Sequence, residues 1–522
     1  MYLVTADEMR EMDRRTIETF GLPGRVLMEN AGRGATRFLL EQFPDLKDLR
    51  VAVVAGRGNN GGDGYVIARY LARKDVSVAV YLLADPKRIT GDAAANLELL
   101  LPLGIPVIQI EDKETFTDHR SRMRGEDLWI DAILGTGLKS DVKGLYKNVI
   151  DFINSLEKPV FAVDIPSGLN SDTGQSCGSC IRAFATATFG YAKTGHFIYP
   201  GAEYSGNLHV VDIGIPPHVA DAVGPKQFLL DSLRITNALK ARAPDAHKGR
   251  TGHLAVIAGS PGKTGAAAMT AMSAVRSGAG LVTLGAPAGL NAILESQLLE
   301  AMTCRLPETT AGVLGESSFE RILALLAGKR CLAIGPGLGQ DPLTVKLILR
   351  LLTDSPVPVV VDADGLNSLA GGVETLHHCK VPVILTPHPG EMARLISKTV
   401  EEIQADRITC AREFAQTFKV HVVLKGANTV IAHPDGTVFI NTSGNAGMAS
   451  GGMGDVLTGL IAGFVTQGYS PETACQAGVF LHGAAADTLA QRIGPFGYLA
   501  SEVMDRVPAE IMKLLNNAYA GA

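Results

Sequence analysis

Gly447-Met448-Ala449-Ser450-Gly451-Gly452-Met453-Gly454-Asp455 runs directly into the apolar stretch 456–464. Glycines just ahead of an apolar helix leave backbone N–H groups uncovered at its start, where unpaired amides and the helix dipole favour an anion. Asp455 falls at that start and sets a carboxylate beside the anion hole. Amides to hold a transferring group, with a carboxylate to take a hydroxyl proton, are what phosphoryl transfer to an alcohol requires. A capping aspartate without chemistry uses the same residue type, so the surrounding segments decide.

Upstream, four further motifs each end a buried apolar run. Gly335-Pro336-Gly337-Leu338-Gly339 follows 331–334, and Val361-Asp362-Ala363-Asp364-Gly365-Leu366-Asn367 closes 357–362. Thr386-Pro387-His388-Pro389-Gly390-Glu391 follows 383–385, and Lys425-Gly426-Ala427-Asn428-Thr429 closes 421–425. With 253–258 and 281–284, these runs alternate with helical patterns, which predicts a parallel sheet covered on both faces. The carboxyl ends of such strands share one ligand crevice. The turn Gly259-Ser260-Pro261-Gly262-Lys263-Thr264-Gly265 has the look of a phosphate loop but fails its spacing, because Ile257 stands where the first glycine is required. It reads as a glycine turn opening a helix at Ala266, with no catalytic role for Lys263.

The polar segment 230–248, with Pro244, resets the pattern, and the chain divides into domains 1–220 and 225–522. The first half has apolar runs at 51–55, 78–83, 127–134, 160–165 and 208–213, with no evident equivalence to the second. Gly56-Arg57-Gly58-Asn59-Asn60-Gly61-Gly62-Asp63-Gly64 contains a formal dinucleotide fingerprint, with Asp85 after the next strand and a helix expected from near Tyr65. Asn59, Asn60 and Asp63 place amide oxygens and a carboxylate in one tight turn, which suits a hard cation, ribose hydroxyls or an amide. Plain turn formation is the alternative. Asp131-Ala132-Ile133-Leu134-Gly135-Thr136-Gly137-Leu138-Lys139-Ser140-Asp141 and Val163-Asp164-Ile165-Pro166-Ser167-Gly168-Leu169 set two more acids at strand ends.

A length of 522 residues, 46% hydrophobic and 19% charged, describes a soluble chain of two or three domains. The net charge of −5 gives no basic face for nucleic acid. Seven cysteines argue against a disulfide framework, and Cys177 and Cys180 read as unpaired loop thiols ahead of a redox or metal pair. No apolar run nears the ~20 residues that span a membrane, and no leader pattern opens the chain. The expected compartment is the cytoplasm.

The set GNNGGDG, DAILGTGLKSD and VDIPSGLNSDTG resembles the NAD(P)H-hydrate epimerase domain over residues 1–215. The resemblance implies that Asn59, Asn60, Gly61, Gly62 and Asp63, with Gly135, Thr136, Gly137, Leu138, Lys139, Ser140 and Asp141, hold the hydrated nucleotide. It implies potassium on Asn60, Asp131 and Ser167. It also makes Lys139 and Asp164 the chemical pair, Asp164 touching substrate as well. Epimerising a hydroxyl-bearing ring carbon needs proton transfers that a lysine and a carboxylate can share. A solvated loop lysine is the alternative for Lys139.

Gly-x-Gly-Asp before a helix resembles the ribokinase-like superfamily. GSPGKTGAA, GPGLG, VDADGLN, TPHPGE, KGANT and SGGMGD together resemble the ADP-dependent NAD(P)H-hydrate dehydratase over residues 225–520. The resemblance implies that Lys425, Gly426, Ala427, Asn428, Thr429 and Gly454 contact the adenine nucleotide, and that Ala266, Gly337, His388 and Asp455 contact the substrate. A structural turn histidine is the alternative for His388. Magnesium is expected as the charge clamp on the nucleotide.

The fold expected is thus α/β throughout, an N-terminal Rossmann-like α/β/α domain followed by a C-terminal ribokinase-like α/β/α domain. The function expected is metabolite repair: interconversion of the R and S hydrates of NADH and NADPH, and dehydration of the S form with ADP, releasing AMP and phosphate. The superfamily habit implies a homo-oligomer. The main rival is a ribokinase-like kinase of a vitamin hydroxyl with a regulatory N-terminal domain, which keeps Asp455 but leaves Lys139 and Asp164 without work. In a third reading the N-terminal domain only binds.

Overall fold

The computed structural model describes the backbone of residues 1–520 and the side chains of residues 1–516. The chain forms two compact units, Tyr2–Gln227 and Phe228 onward, with Met1 belonging to the second. The division falls ahead of the polar segment 230–248. Part of that segment is the helix Ser232–Ala238, whose first turn is capped by Asp231 through the Arg234 amide.

In the first unit seven parallel strands lie in the order Val107–Gln109, Ser77–Leu82, Arg50–Ala55, Leu128–Ala132, Val160–Val163, Ala185–Phe189, Asn207–Val211. Numbered along the chain, this is 3-2-1-4-5-6-7, the doubly wound arrangement. The direction of winding reverses between the first and fourth strands, where the carboxyl ends open a crevice. Leu128–Ala132 is buried along its whole length, as a strand covered on both faces must be.

The second unit repeats that order: Met302–Leu306, Leu281–Pro287, His253–Ile257, Cys331–Ile334, Val359–Val361, Val383–Leu385 and His421–Leu424, all parallel. Val430–Ala432 and Val438–Asn441 then extend the sheet antiparallel. The equivalence that the sequences hide is therefore present in topology.

Of the parallel strands given above, three escape the sequence reading. Val107–Gln109 and Met302–Leu306 are edge strands with mixed burial, so they lack the continuous apolar run. Ala185–Phe189, ATATF, is fully buried but built from small and hydroxyl side chains.

The glycine segment of the first unit also differs from expectation. The helix begins at Asn59, not near Tyr65, so Asn59 to Asp63 form its first turn rather than a free loop. The glycines explain why. A Cβ on Gly56 would strike the Ile133 carbonyl, and one on Gly61 would strike the Gly56 carbonyl. Backbone here sits directly on backbone across the switch point.

Candidate active sites

In the first unit a cavity of about 410 Å³ opens at the strand ends. Asn59, Asn60, Asp63, Gly135, Thr136, Gly137 and Asp164 line it, together with Asp13 and Lys193. Asp164 follows the fifth strand in a left-handed conformation, φ +65°. Its Oδ1 accepts from Lys193 Nζ at 2.6 Å, Thr188 Oγ1 at 3.1 Å and the Phe189 amide at 3.3 Å. Lys193 also donates to Thr188 Oγ1 and the Phe189 carbonyl, and its side chain is 1% exposed. Burial pushes the Asp164 carboxyl up, but the Lys193 ammonium overrides it and holds the group below its ordinary value. Asp63 moves the other way. Burial, then the negative charges of Asp164 and Asp13, push it well above the usual carboxylate range.

Lys139 is not part of this arrangement. Its side chain is 70% exposed and its nearest acid is Asp7, at 3.9 Å. Ser140 and Asp141 are exposed beside it, and Leu138 packs against the core on the other side of the sheet. The ammonium that lies against Asp164 belongs to Lys193, which follows the buried Ala185–Phe189 strand.

The Leu134 carbonyl accepts from both Asn60 Nδ2 and Ser167 Oγ, and Ser167 in turn binds Asp131. Asp131 is buried; its oxygens accept from the Ser167 hydroxyl and amide and the Ile133 amide. Burial nevertheless pushes its carboxyl up to about 6, with those hydrogen bonds opposing. Asn60 Oδ1 is buried and accepts nothing among the described residues. A buried carboxylate without a counter-charge, beside an orphaned amide oxygen and a hydroxyl, is an all-oxygen donor set that fits a hard cation. Cys177 and Cys180 are free, and burial raises both thiols above their ordinary value, leaving little thiolate.

In the second unit the strand-end motifs also converge. Asp362, 1% exposed, accepts from Lys425 Nζ at 2.7 Å and from Thr458 Oγ1 at 2.8 Å. Lys425 lies 3.8 Å from Glu391 as well. Burial works against the Lys425 ammonium, but Asp362 and Glu391 hold it above its ordinary value. Burial pushes Glu391 up to about 7.

The helix Met453–Thr466 starts over this ion pair, behind Gly452 at φ +91° with no side-chain cap. A Cβ on Gly454 would come within 3.3 Å of Lys425 Nζ and 3.6 Å of Asp362 Oδ2. Asp455, in the first turn, is pushed up to about 6 by burial and then by the charge of Asp362, with Lys425 opposing. Ala266 and Gly337 are neighbours, since a Cβ on Gly337 would lie 3.3 Å from that of Ala266.

His388 caps the helix Pro389–Ile396, its Nδ1 accepting from the Gly390 and Glu391 amides. Burial, then Lys425 and Arg394, lower its pKa, so the ring is neutral with its proton on Nε2 at neutral pH. The Lys425–Thr429 turn is pinned from beneath by Arg407. That buried guanidinium donates to the carbonyls of Leu424, Lys425 and Ala427. Asp487 binds the Gly444 amide and Asn445 Nδ2, each at 2.8 Å, fixing the loop ahead of Gly447. No three His, Cys, Asp or Glu residues form a ready metal cage among the described residues. Nor is any described helix long and apolar enough to cross a membrane.

Two family models match the chain: YjeF-related protein N-terminus over residues 24–195 and NAD(P)H-hydrate dehydratase over residues 254–509. The bifunctional NAD(P)H-hydrate repair enzyme Nnr of Moorella thermoacetica is 43% identical over 515 residues, covering 98% of this chain and 97% of the relative. Its counterpart in Thermofilum pendens is 38% identical, covering 98% and 97%. Among solved structures, the ADP/ATP-dependent NAD(P)H-hydrate dehydratase of Bacillus subtilis, co-crystallized with ATP and Mg2+, is 31% identical with a TM-score of 0.48. It covers 55% of this chain and 98% of that one.

Proposed function

The chain belongs to the family of bifunctional NAD(P)H-hydrate repair enzymes, and we propose that its two units divide the work, the first exchanging the R and S hydrates and the second dehydrating the S form. The observation that carries this division is that each unit holds its own lysine–aspartate ion pair at the end of its fifth strand.

In the first unit the hydrated nicotinamide enters the cavity beside Asn59 and Gly135 to Gly137. Asp164 is the base. Lys193 keeps it ionised inside a cavity that raises the neighbouring acids. Asn60, Asp131 and Ser167 hold potassium, which supplies the positive charge that the buried Asp131 carboxylate lacks.

In the second unit the Lys425–Thr429 turn and Gly454 hold the nucleotide, read here as ADP. Ala266, Gly337 and His388 hold the substrate. The free amides at the start of Met453–Thr466 face the transferring phosphoryl group. Asp455 takes the C6 hydroxyl proton as that oxygen bonds to phosphorus and AMP departs. Phosphate then leaves with the C6–O bonding pair while the C5 proton passes to water and its C–H pair forms C5=C6, restoring the ring. A base near pH 6 is well matched to neutral conditions. Magnesium would neutralise charge on the nucleotide phosphates, and Asp362 and Glu391, at 2.7 Å and 3.8 Å from Lys425 Nζ, are the acids at hand to hold it.

Two variants test the division. Asp164→Asn should reduce epimer exchange about 10²–10⁴-fold while sparing nucleotide-dependent recovery of NADH absorbance from the S hydrate, and Asp455→Asn should do the reverse. Loss of both activities in either variant would sink the assignment.

A further inference from the structure

Four carboxylates line the first cavity, Asp13, Asp63, Asp92 and Asp164, with the Lys193 ammonium and the Arg10 guanidinium; Asp92 lies 3.9 Å from Arg25. The lysine is committed to Asp164. Asp13, on the helix Ala6–Arg15, is left with an oxygen, Oδ1, that is shielded from solvent and accepts no hydrogen bond among the described residues.

Its own helix offers no relief. Arg10 is held by Asp7, Arg14 by Glu11 and Glu18, and Arg15 by Glu11. From the facing elements come Lys193, already paired, and two further carboxyl groups, Asp164 and Asp63. An unpaired carboxylate in such a place is costly when ionised and relieves the cost by keeping a proton. Burial accordingly pushes Asp13 up to about 6, with Lys193 opposing and Asp164 adding to the rise. Met9 and Arg10 beside it also line the cavity, so this face of the helix is cavity wall.

We propose that Asp13 is the second catalytic group of epimerisation, the carboxylic acid that complements the Asp164 base. The proposal rests on the assignment of hydrate exchange to this unit. Epimerisation by ring opening needs one group to take a proton and another to give one. Asp164 takes the proton of the C6 hydroxyl, and the O–H electrons form C6=O. The N1–C6 bond breaks, its pair goes to N1, and N1 takes the proton of Asp13. Rotation presents the other face of the carbonyl. N1 then attacks C6 and returns its proton to Asp13, while the C6 oxygen recovers one from Asp164. Atoms and charge balance, and no co-reactant is consumed.

The test is Asp13→Asn and Asp13→Glu in the full chain, with Asp164→Asn alongside. Exchange of R and S hydrate is followed by chromatography across pH 5–9, with KM and melting temperature recorded. For Asp13→Asn, kcat should fall about 10²–10⁴-fold with KM little changed. The wild-type decline in kcat as Asp13 ionises with rising pH should disappear. Asp13→Glu should keep part of the activity with that limb displaced. If Asp13→Asn keeps wild-type kcat and pH profile while Asp164→Asn is inactive, the proposal fails and the Asp164 base stands. If Asp164→Asn exchanges normally, the underlying assignment fails, whatever Asp13 does. Should Asp13→Asn not fold, an undisplaced limb in Asp13→Glu overturns the proposal.

Discussion

Asp164 and Asp362 occupy the same place in their respective units, the residue after the fifth strand of a 3-2-1-4-5-6-7 sheet, and each is bound by a lysine, at 2.6 Å and 2.7 Å. Their surroundings differ. Asp164 opens into a cavity that two carboxyls pushed upward also line, and is itself the ionised one. Asp362 lies beneath a helix start, tied to it through Thr458, and the carboxyl poised near 6 belongs to Asp455 on that helix. The same strand-end ion pair is thus a reacting group in one unit and the footing of a reacting group in the other. A shared topology fixes where charge converges, and the next element along the chain decides which atom does chemistry.

The comparison breaks most visibly if the lysines are removed. Lys193→Met leaves the Asp164 carboxylate inside the protein without its cation, a change that typically costs about 3–5 kcal/mol. Lys425→Met should cost at least as much, because the carboxylate it strands, Asp362, is 1% exposed against 16% for Asp164, and Glu391 lies 3.8 Å from the same ammonium. Denaturant midpoints of the two variants measure the difference. The double variant Lys193→Met, Asp164→Asn should recover much of the loss, since no bare charge remains. A clearly smaller loss at Lys425, or no recovery in the double variant, would mean that burial of the stranded carboxylate does not set the cost.

A smaller effect sharpens the contrast through pH. Asp455 must be ionised to act, so dehydration should fall about tenfold per pH unit below about 6. Asp164, held below its ordinary value, stays ionised through that range, and epimer exchange should not share the loss. Stability gives an independent reading. The Asp455 carboxyl rises from 3.8 to about 6 on folding, so the folded chain binds more protons between those values. Wild-type stability should therefore decline as pH rises from about 4 to 6, and Asp455→Asn should lack that component. Melting curves across pH 4–7 check it; a variant that loses stability in parallel with wild type would contradict the burial of this group.

How much of this was legible in the sequence follows from where each residue lies. Asp131, Asp164, Asp362, Lys425 and Asp455 all sit where an apolar run meets glycine or proline, punctuation that marks a strand end or helix start. Asp13 sits in MREMDRR, one acid among several on an amphipathic helix, and the pattern alone does not single out the one that meets the cavity. Arg407 and Asp487 reach their loops from mid-chain helices with no local signal. Lys193 did carry a faint one, as a lone cation just after a run of small and apolar residues. Asn59 to Asp63 misled for a physical reason: their glycines have low helix propensity, and tertiary contact with the Ile133 carbonyl imposes the helix.

The smallest expected effect concerns Lys139, where sequence and geometry disagree about which lysine serves Asp164. Lys139 is mostly exposed, and its 3.9 Å approach to Asp7, itself 65% exposed, is a screened surface contact worth roughly 0–1 kcal/mol. Lys139→Met should change epimer exchange by less than about threefold and leave stability within ~0.5 kcal/mol. Measured beside Lys193→Met, it asks which cation holds the Asp164 charge. A large kcat loss in Lys139→Met at unchanged stability would require the 135–141 turn to carry that ammonium to the substrate. The first unit would then use two lysines, one to hold its base and one to meet the reacting ring, and the likeness to Lys425 and Asp362 would end there.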